Sequence, residues 1–256
     1  MRPSRLTLLT LLLALPFTSS ASANAIYDAA VEFSLASNPN EHWQYGTTGA
    51  TLGGAFTSFA NATTNTFQNA DVSSWFGDES MFGDDFPLIG QNVSNVTQYV
   101  STGLIVLRPM ELFAHPGPSG TFSVLRFTAA VTGSYDVSGS FEGRDERGVT
   151  TDVHVLVNET SVFSGNVVGF GLASEEAFST VVLLDAGDTV DFVVGVGPNS
   201  NFENDSTGIA ATVTLETVPV APTNKDQCKN NGWRTYSSPR AFKNQGDCIQ
   251  FVNTGR

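Results

Sequence analysis

The chain has 256 residues, of which 41% are hydrophobic and only 14% are charged, and 19 are phenylalanine. This length accommodates one large or two modest domains with a buried core, and the phenylalanine content argues against a disordered chain. A formal net charge of -13 argues against nucleic acid as a partner, because phosphate binding requires Lys and Arg. The 2 cysteines are too few for a cysteine-rich scaffold or a zinc ribbon.

The N-terminus has the pattern of a secretory signal peptide. Arg2 and Arg5 precede an apolar run, Leu6 to Phe17, which is too short to span a bilayer as a helix. Two A-x-A sites follow, so we expect residues 1–24 to be a signal peptide that is cleaved near residues 23–25. The alternative is a buried N-terminal helix. No later stretch has the length and hydropathy of a transmembrane segment, and we expect a secreted, extracellular protein.

Charge divides the rest of the chain into two predicted parts. Residues 25–217, the predicted β-sandwich domain, carry 4 Arg against 23 carboxylates, a net charge of about -19. The C-terminal segment 223–256 carries 6 Lys or Arg against 2 Asp, a net charge of about +4. Residues 218–223 contain two prolines and are predicted to be an extended linker, which leaves residues 224–256 as a small module. This basic module is a candidate for docking onto an anionic cell-envelope polymer.

Both cysteines, Cys228 and Cys248, lie in the predicted module. In an exported protein they are expected to form a disulfide, which stabilises a segment this small by about 3 kcal/mol. Four aromatic residues are expected to cover the bridge: Trp233, Tyr236, Phe242 and Phe251. The alternative is a redox-active thiol pair, but the C-x-x-C spacing typical of such pairs is absent.

From residue 100 onward, apolar residues alternate with polar ones, which is typical of half-buried strands. The clearest examples are residues 135–141, 153–157, 190–194 and 209–215. Turn residues separate these stretches at regular intervals, and the pattern predicts an all-β fold, an antiparallel two-sheet β-sandwich. The turn at Ala186, Gly187 and Asp188 is predicted to join residues 180–184 and 189–196 in a hairpin.

The first third of the mature chain has a weaker pattern. Residues 26–35 are the one stretch with helical spacing of about ten residues. Residues 36–100 are rich in Asn, Thr, Ser, Gly and Phe, and we expect short strands and long loops there. Seven aromatic residues of this region are expected to pack inside: Trp43, Tyr45, Phe56, Phe59, Trp75, Phe76 and Phe82.

Three acidic loops are candidates for a cation site. They contain residues 78–85, residues 145–152 and residues 203–205. If the loops meet at one edge of the sandwich, their carboxylates offer the oxygen ligands that Ca²⁺ prefers. The candidate ligands are Asp84, Asp85, Asp145 and Asp205. None of the loops matches the common calcium-loop motif, and the alternatives are a solvated acidic surface or a catalytic carboxylate pair of a glycosidase.

Histidine and serine patterns do not indicate a catalytic site. The three histidines, His42, His115 and His154, have no spacing typical of metal ligands. No G-x-S-x-G motif is present either, so we name no catalytic residue.

Aromatic side chains are the other candidates for a ligand site. Trp43 and Tyr45 lie close together in the segment Asn38 to Gly46, and an aromatic ring presents an apolar face on which a sugar ring can stack. With Trp75 they form the candidate ligand-binding set. The alternative is that a Trp beside a turn ending in Gly fills the core.

A series of short motifs occurs in a fixed order along the chain. They are N-P-x-x-x-W-x-Y-G at residues 38–46, H-P-G at 115–117, V-L-R-F-T-A at 124–129, T-G-S-Y at 132–135, T-D-V-H-V at 151–155, A-G-D-T-V-D-F at 186–192 and N-D-S-T-G at 204–208. The series resembles a family of exported bacterial β-sandwich domains that is often found in PEP-CTERM-type proteins, over roughly residues 26–216. The resemblance implies a jelly-roll-like sandwich similar to carbohydrate-binding modules, without established catalytic residues.

The C-terminal part carries a second resemblance. The motifs C-K-x-x-G-W at residues 228–233 and F-K-N-Q-G-D-C at residues 242–248 resemble a small module of secreted bacterial proteins. A Pro-Glu-Pro signal with a hydrophobic anchor, which many relatives carry, is absent from this sequence, so sortase-like anchoring is not expected.

These observations predict a secreted, non-enzymatic binding protein whose β-sandwich presents loops to an extracellular glycan, with Ca²⁺ as a candidate cofactor. The first alternative is a structural component of the cell surface that binds no small ligand. The second is an extracellular hydrolase.

Overall fold

The computed structural model describes residues 24–216, 221–236 and 240–256. The predicted signal peptide, apart from Asn24, lies outside the described residues, and so do residues 218–220 of the predicted linker. In the part of the chain that is described, no helix combines the length and the hydropathy needed to cross a membrane.

The described residues form sixteen strands and one α-helix. The strands are β1 (Ala25–Asp28), β2 (Trp43–Thr47), β3 (Thr57–Ser58), β4 (Asn61–Thr63), β5 (Val72–Met81), β6 (Asp84–Asn92), β7 (Gln98–Val100), β8 (Ile105–Leu107), β9 (Leu112–His115), β10 (Ser123–Thr128), β11 (Gly133–Gly143), β12 (Val149–Val157), β13 (Thr160–Gly169), β14 (Gly171–Leu184), β15 (Thr189–Val194) and β16 (Thr207–Glu216). The helix is α1 (Gln245–Thr254), and short 3-10 turns lie at Thr66–Gln68, Ser101–Gly103, Lys225–Cys228 and Gly232–Thr235.

The strands build two large antiparallel sheets and a small hairpin. The first sheet has the order β14-β11-β16-β9-β6-β5-β4, and β1 pairs with β16. The second sheet has the order β13-β12-β15-β10-β2-β3, and β7 pairs with β8 alone. The prediction of an all-β, antiparallel two-sheet sandwich is therefore confirmed.

The main core lies between the two large sheets. It contains inward-facing residues of the second sheet, such as Trp43, Leu125 and Phe192, and of the first sheet, such as Tyr135 and Val213. Alternation along each strand supplies this layer, because successive side chains point to opposite faces of a sheet. The four stretches that the sequence marked as alternating all lie in strands, namely β11, β12, β15 and β16.

Two local predictions were wrong. The strands on either side of Ala186, Gly187 and Asp188 do not pair, since β14 pairs with β11 while β15 pairs with β12 and β10. The turn therefore leads the chain from one sheet to the other. Residues 36–100 contain the expected short strands β2, β3, β4 and β7, but they also contain the long hairpin of β5 and β6. Residues 26–35, the stretch with helical spacing, form most of β1 and turns.

A second, smaller core lies on the outer face of the first sheet. We call it the satellite core; its buried residues are Val72, Phe86, Leu88, Val100, Ile105, Leu107 and Phe113. It forms because the β7–β8 hairpin covers β5, β6 and β9. Val100, Ile105 and Leu107 of this hairpin belong to the same buried cluster as the residues of the three strands. Strand β6 is consequently buried on both faces, with Leu88 in the satellite core and Ile89 in the main core.

The C-terminal module has its own apolar cluster. Cys228 and Cys248 form the predicted disulfide, with their Cα atoms 5.8 Å apart. Tyr236 and Phe242 are buried beside it, and Trp233 packs against the cluster. The module contains α1, which starts after Asn244, whose side chain accepts the backbone N–H of Asp247 at 3.0 Å.

Candidate functional site

A cavity of about 310 Å³ opens where the satellite core reaches the surface. We call it the acidic–aromatic pocket. Its lining residues are Phe67, Phe82, Asp84, Phe86, Ser101, Ile105, His115, Asp145, Arg147, Phe202, Glu203 and Asn204. They come from the 3-10 turns Thr66–Gln68 and Ser101–Gly103, the β5–β6 hairpin, β8, the end of β9, the loop after β11 and the loop before β16. All three acidic loops that the sequence singled out contribute one carboxylate to this pocket.

Aromatic rings form the walls of the pocket. The ring of His115 lies 4.7 Å from Phe86 and 5.8 Å from Phe202, measured between ring centroids. The rings of Phe202 and Phe82 are nearly parallel, with 8° between their planes and 6.3 Å between their centroids. Phe82 is 75% exposed, so one wall of the pocket offers a ring to solvent. Phe82 lies at the tip of the β5–β6 hairpin, next to Gly83.

Three carboxylates line the pocket. Asp84 begins β6, Asp145 follows β11, and Glu203 precedes β16. Burial raises the pKa of Asp84, and the charge of Asp85 raises it further. Burial likewise raises the pKa of Asp145. None of the three forms an ion pair within the described residues.

His115 is a neutral hydrogen-bond acceptor in the pocket wall. Its side chain is buried, and its Nδ1 lies 2.9 Å from the carbonyl oxygen of Pro116. A carbonyl oxygen only accepts, so Nδ1 carries the proton and Nε2 has a free lone pair. Burial lowers the pKa of His115 to about 4, which keeps the ring neutral at physiological pH.

Asp205 lies in the chain beside the pocket residues Glu203 and Asn204 and is completely buried. Its Oδ1 accepts the backbone N–H of Thr150 at 3.0 Å, while its Oδ2 has no partner within the described residues. Burial raises the pKa of Asp205 to about 7, and the negative charges of Asp145 and Asp152 add to this effect.

One cation lines the pocket. Arg147 is exposed, and its Nη1 donates to the side-chain oxygen of Asn204 at 3.3 Å. Its positive charge partly offsets the increase in the pKa of Asp145 that burial causes. The lining therefore carries three carboxylates against one guanidinium, a net negative surface.

The predicted ligand-binding set Trp43, Tyr45 and Trp75 lies in the core instead. Trp43 and Tyr45 are completely buried, and Trp75 is 7% exposed. Trp43 donates its indole N–H to Glu32 at 3.0 Å, and Trp75 stacks on Tyr45 at 6.3 Å. None of these rings has a free face for a sugar, which corrects the prediction in favour of its core-packing alternative.

The predicted calcium ligands do not form one cluster. Asp84 and Asp145 line the pocket, but Asp85 accepts the hydroxyl of Ser80 on the hairpin, and Asp205 is held by Thr150. Across the described residues, no three His, Cys, Asp or Glu side chains are close enough to hold a metal ion. The predicted four-residue calcium site is therefore not found in this structure.

A second cavity, of about 240 Å³, lies on the outer face of the first sheet, and most of its charged groups are paired with each other. Glu142 accepts both guanidinium nitrogens of Arg108, at 2.8 and 2.7 Å, and both of Arg144, at 3.0 Å. Arg144 also forms an ion pair with Glu111. These ion pairs engage four of the six charged side chains that line this cavity, whereas no ion pair of the described residues engages the carboxylates of the acidic–aromatic pocket.

Sequence reasoning missed the aromatic part of the pocket. The sequence pattern predicts an interior position for Phe82, and it marks neither Phe202 nor His115 as a site residue. In the sequence, only the three acidic loops indicate this part of the molecule as a candidate site.

Several solved structures show a distant similarity to the structure of this chain. The CBM51 domain of Clostridium perfringens GH95 in complex with methyl-galactose matches at 14% identity and a TM-score of 0.33, over 61% of this chain and 94% of that one. CBM35 from Paenibacillus barcinonensis matches at 11% identity and a TM-score of 0.28, over 75% and 99%. Rabbit GITRL matches at 13% identity and a TM-score of 0.24, over 38% and 73%.

Similarity at these TM-scores does not indicate a ligand or a function for this chain. The fold class is established by the strands and sheets of the chain itself. No protein-family model matches the chain, and no curated protein matches it. These comparisons do not support the resemblance to PEP-CTERM-type proteins or the one at the C-terminal motifs.

Proposed function

We propose that this chain is a secreted, non-enzymatic binding protein that holds a glycan in the acidic–aromatic pocket. The observation that carries the proposal is the exposed ring of Phe82, which is nearly parallel to Phe202 in a cavity that polar side chains also line. Flat apolar rings suit the C–H face of a sugar, and carboxylates and imidazole nitrogen suit its hydroxyl groups. A cavity of about 310 Å³ lies at the small end of the range of small-molecule sites.

The hydrogen bonding of His115 does not match that of a histidine that activates a serine or cysteine nucleophile. Within the described residues, the one hydrogen bond of the His115 ring goes to a backbone carbonyl. An activated nucleophile would instead require a hydroxyl or thiol bonded to the imidazole. Export is supported by the disulfide, since such bonds persist in oxidising compartments.

The proposal is tested by calorimetric titration of the purified protein with a panel of soluble oligosaccharides. For a glycan that binds, Phe82→Ala is expected to weaken the affinity about tenfold, because it removes the exposed stacking ring. Phe170→Ala is the matched control, since Phe170 is 39% exposed and does not line the pocket. Equal affinities of the protein and its Phe82→Ala variant would count against the pocket.

Two further measurements test the structural and the enzymatic alternatives. Self-association without saccharide binding, seen by sedimentation, would favour a structural role. Release of new reducing ends from an oligosaccharide would favour a hydrolase. If the pocket binds a glycan without cleaving it, we expect saccharide binding and no release of reducing ends.

A further inference from the structure

The acidic–aromatic pocket accepts hydrogen bonds more than it donates them. Asp84, Asp145 and Glu203 face a single guanidinium, that of Arg147. The Nε2 atom of His115 adds a neutral acceptor. A ligand that donates hydrogen bonds and carries positive charge is complementary to such a surface.

Two of these acceptors are part of the buried structure. Asp145 is 4% exposed, and its Oδ1 accepts the backbone N–H of Arg147 at 2.9 Å, while its Oδ2 has no hydrogen bond within the described residues. His115 is 5% exposed, and its Nε2 is likewise without a partner in the described part of the chain. Both residues line the cavity, so a hydrogen-bond donor on a ligand can reach acceptor atoms that no group of the described residues engages.

The arrangement suits an organic cation better than a metal ion. The carboxylates are spread around the cavity, and no three of them lie within metal-binding distance among the described residues. The walls also include the rings of Phe67, Phe86 and Phe202, and aromatic faces attract ammonium groups.

We infer that the acidic–aromatic pocket recognises an amino sugar through a free, protonated amine. The inference rests on the proposed function, because the sugar ring stacks on Phe82 while the amine faces Asp84, Asp145 and Glu203. Charge-assisted hydrogen bonds between ammonium and carboxylate then distinguish this sugar from a neutral one.

The test compares two probes that differ in one group, a tetramer of glucosamine and a tetramer of N-acetylglucosamine. Acetylation removes the positive charge and leaves the sugar backbone intact. In calorimetric titrations at low salt, the glucosamine tetramer is expected to bind about tenfold more tightly. The preference should decrease at high salt, where exposed charges are screened.

Substitutions of single carboxylates test whether the preference for the glucosamine tetramer arises in the pocket. Asp84→Asn and Glu203→Gln should each remove most of the preference for the glucosamine tetramer. Asp78→Asn is the charge-matched control, since Asp78 is exposed on the same hairpin but does not line the pocket. This control is needed because the negatively charged domain also attracts oligocations without a specific site.

The outcomes separate the inference from the proposed function. Equal or tighter binding of the acetylated tetramer would overturn the amine inference and leave a neutral glycan as the ligand of the pocket. If Asp84→Asn, Glu203→Gln and the control Asp78→Asn all weaken binding of the glucosamine tetramer equally, the attraction is non-specific. That result would also overturn the amine inference. Binding of no saccharide would overturn both.

Discussion

At the scale of single residues, Asp205 is the clearest case of a group held against its ordinary chemistry. Its carboxyl group is completely buried, with one oxygen bonded to Thr150 and the other without a partner among the described residues. Burial raises the pKa of Asp205 to about 7, whereas an unfolded chain has an ordinary pKa near 4. Between these two pH values, the folded protein binds a proton that the unfolded chain has released.

This difference predicts the pH dependence of the variant Asp205→Asn. The free energy of unfolding of the natural protein should fall as pH rises from about 4 to about 7, and Asn does not titrate. The stability of the variant relative to the natural protein should therefore increase across this range, by about 4 kcal/mol in total, because each pKa unit of the shift corresponds to about 1.4 kcal/mol. Urea denaturation at several pH values measures the difference.

The comparison with the variant is necessary because His115 acts in the opposite direction. Its pKa is lowered to about 4, so its contribution to stability is present above pH 6.5 and is lost as pH falls towards 4. That contribution is the same in both proteins and cancels in the difference. A stability difference between Asp205→Asn and the natural protein that does not change with pH would contradict the prediction.

Residue identity alone did not reveal which rings are exposed. Trp43 and Phe82 both lie close to glycines in a Phe- and Asn-rich segment, and both were expected to pack inside. The structure buries Trp43 between the sheets and leaves Phe82 at the tip of a hairpin, 75% exposed. The difference is set by the pairing of β5 with β6, which has no local signal in the sequence.

At the scale of elements, an ion pair joins two central strands of the second sheet. Arg126 on β10 is directly opposite Asp191 on β15, and two hydrogen bonds of 2.7 Å connect the side chains. The guanidinium also lies 4.2 Å from the ring centre of Phe56. Asp191 is almost completely buried, and burial raises its pKa despite the opposing effect of Arg126.

Breaking this pair on one side should be more harmful than replacing both members. Arg126→Met leaves a buried carboxylate without its partner and is expected to cost about 3 kcal/mol at pH 7. The double variant Arg126→Met/Asp191→Leu removes the buried charge as well and should be more stable than the single variant. Urea unfolding of the three proteins measures both differences. A double variant that is no more stable than Arg126→Met would refute this account.

How far the sequence predicts an element depends on how many of its faces are buried. Strands such as β12 have one buried and one partly exposed face, and their alternation is visible from residues alone. Strand β6 is buried on both faces because the β7–β8 hairpin covers it, so it shows no alternation and was missed. The pairing of β14 and β15 with distant strands is a long-range property, and a local turn motif does not contain it.

At the scale of the whole molecule, the separation of charge is the most distinctive feature. The predicted domain carries about -19 and the segment 223–256 about +4. Within the module, some cations are already paired, since Arg240 binds Asp247 and Lys229 binds Asp226. We propose that this module contacts an anionic polymer, because its net positive charge is opposite to that of the polymer.

A charge-matched pair of variants tests that proposal in the full chain. Replacing Lys225, Lys229 and Lys243 by Gln removes three positive charges from the module, and retention on immobilised alginate at low salt is expected to fall sharply. The control changes the net charge of the protein by the same amount within the domain, at three exposed residues: Asn61→Asp, Asn65→Asp and Asn95→Asp. If the module binds the polymer directly, the control should be retained longer than the lysine variant, because repulsion by a domain already near -19 changes little. Equal elution of both variants would mean that net charge, and not the module, decides the interaction.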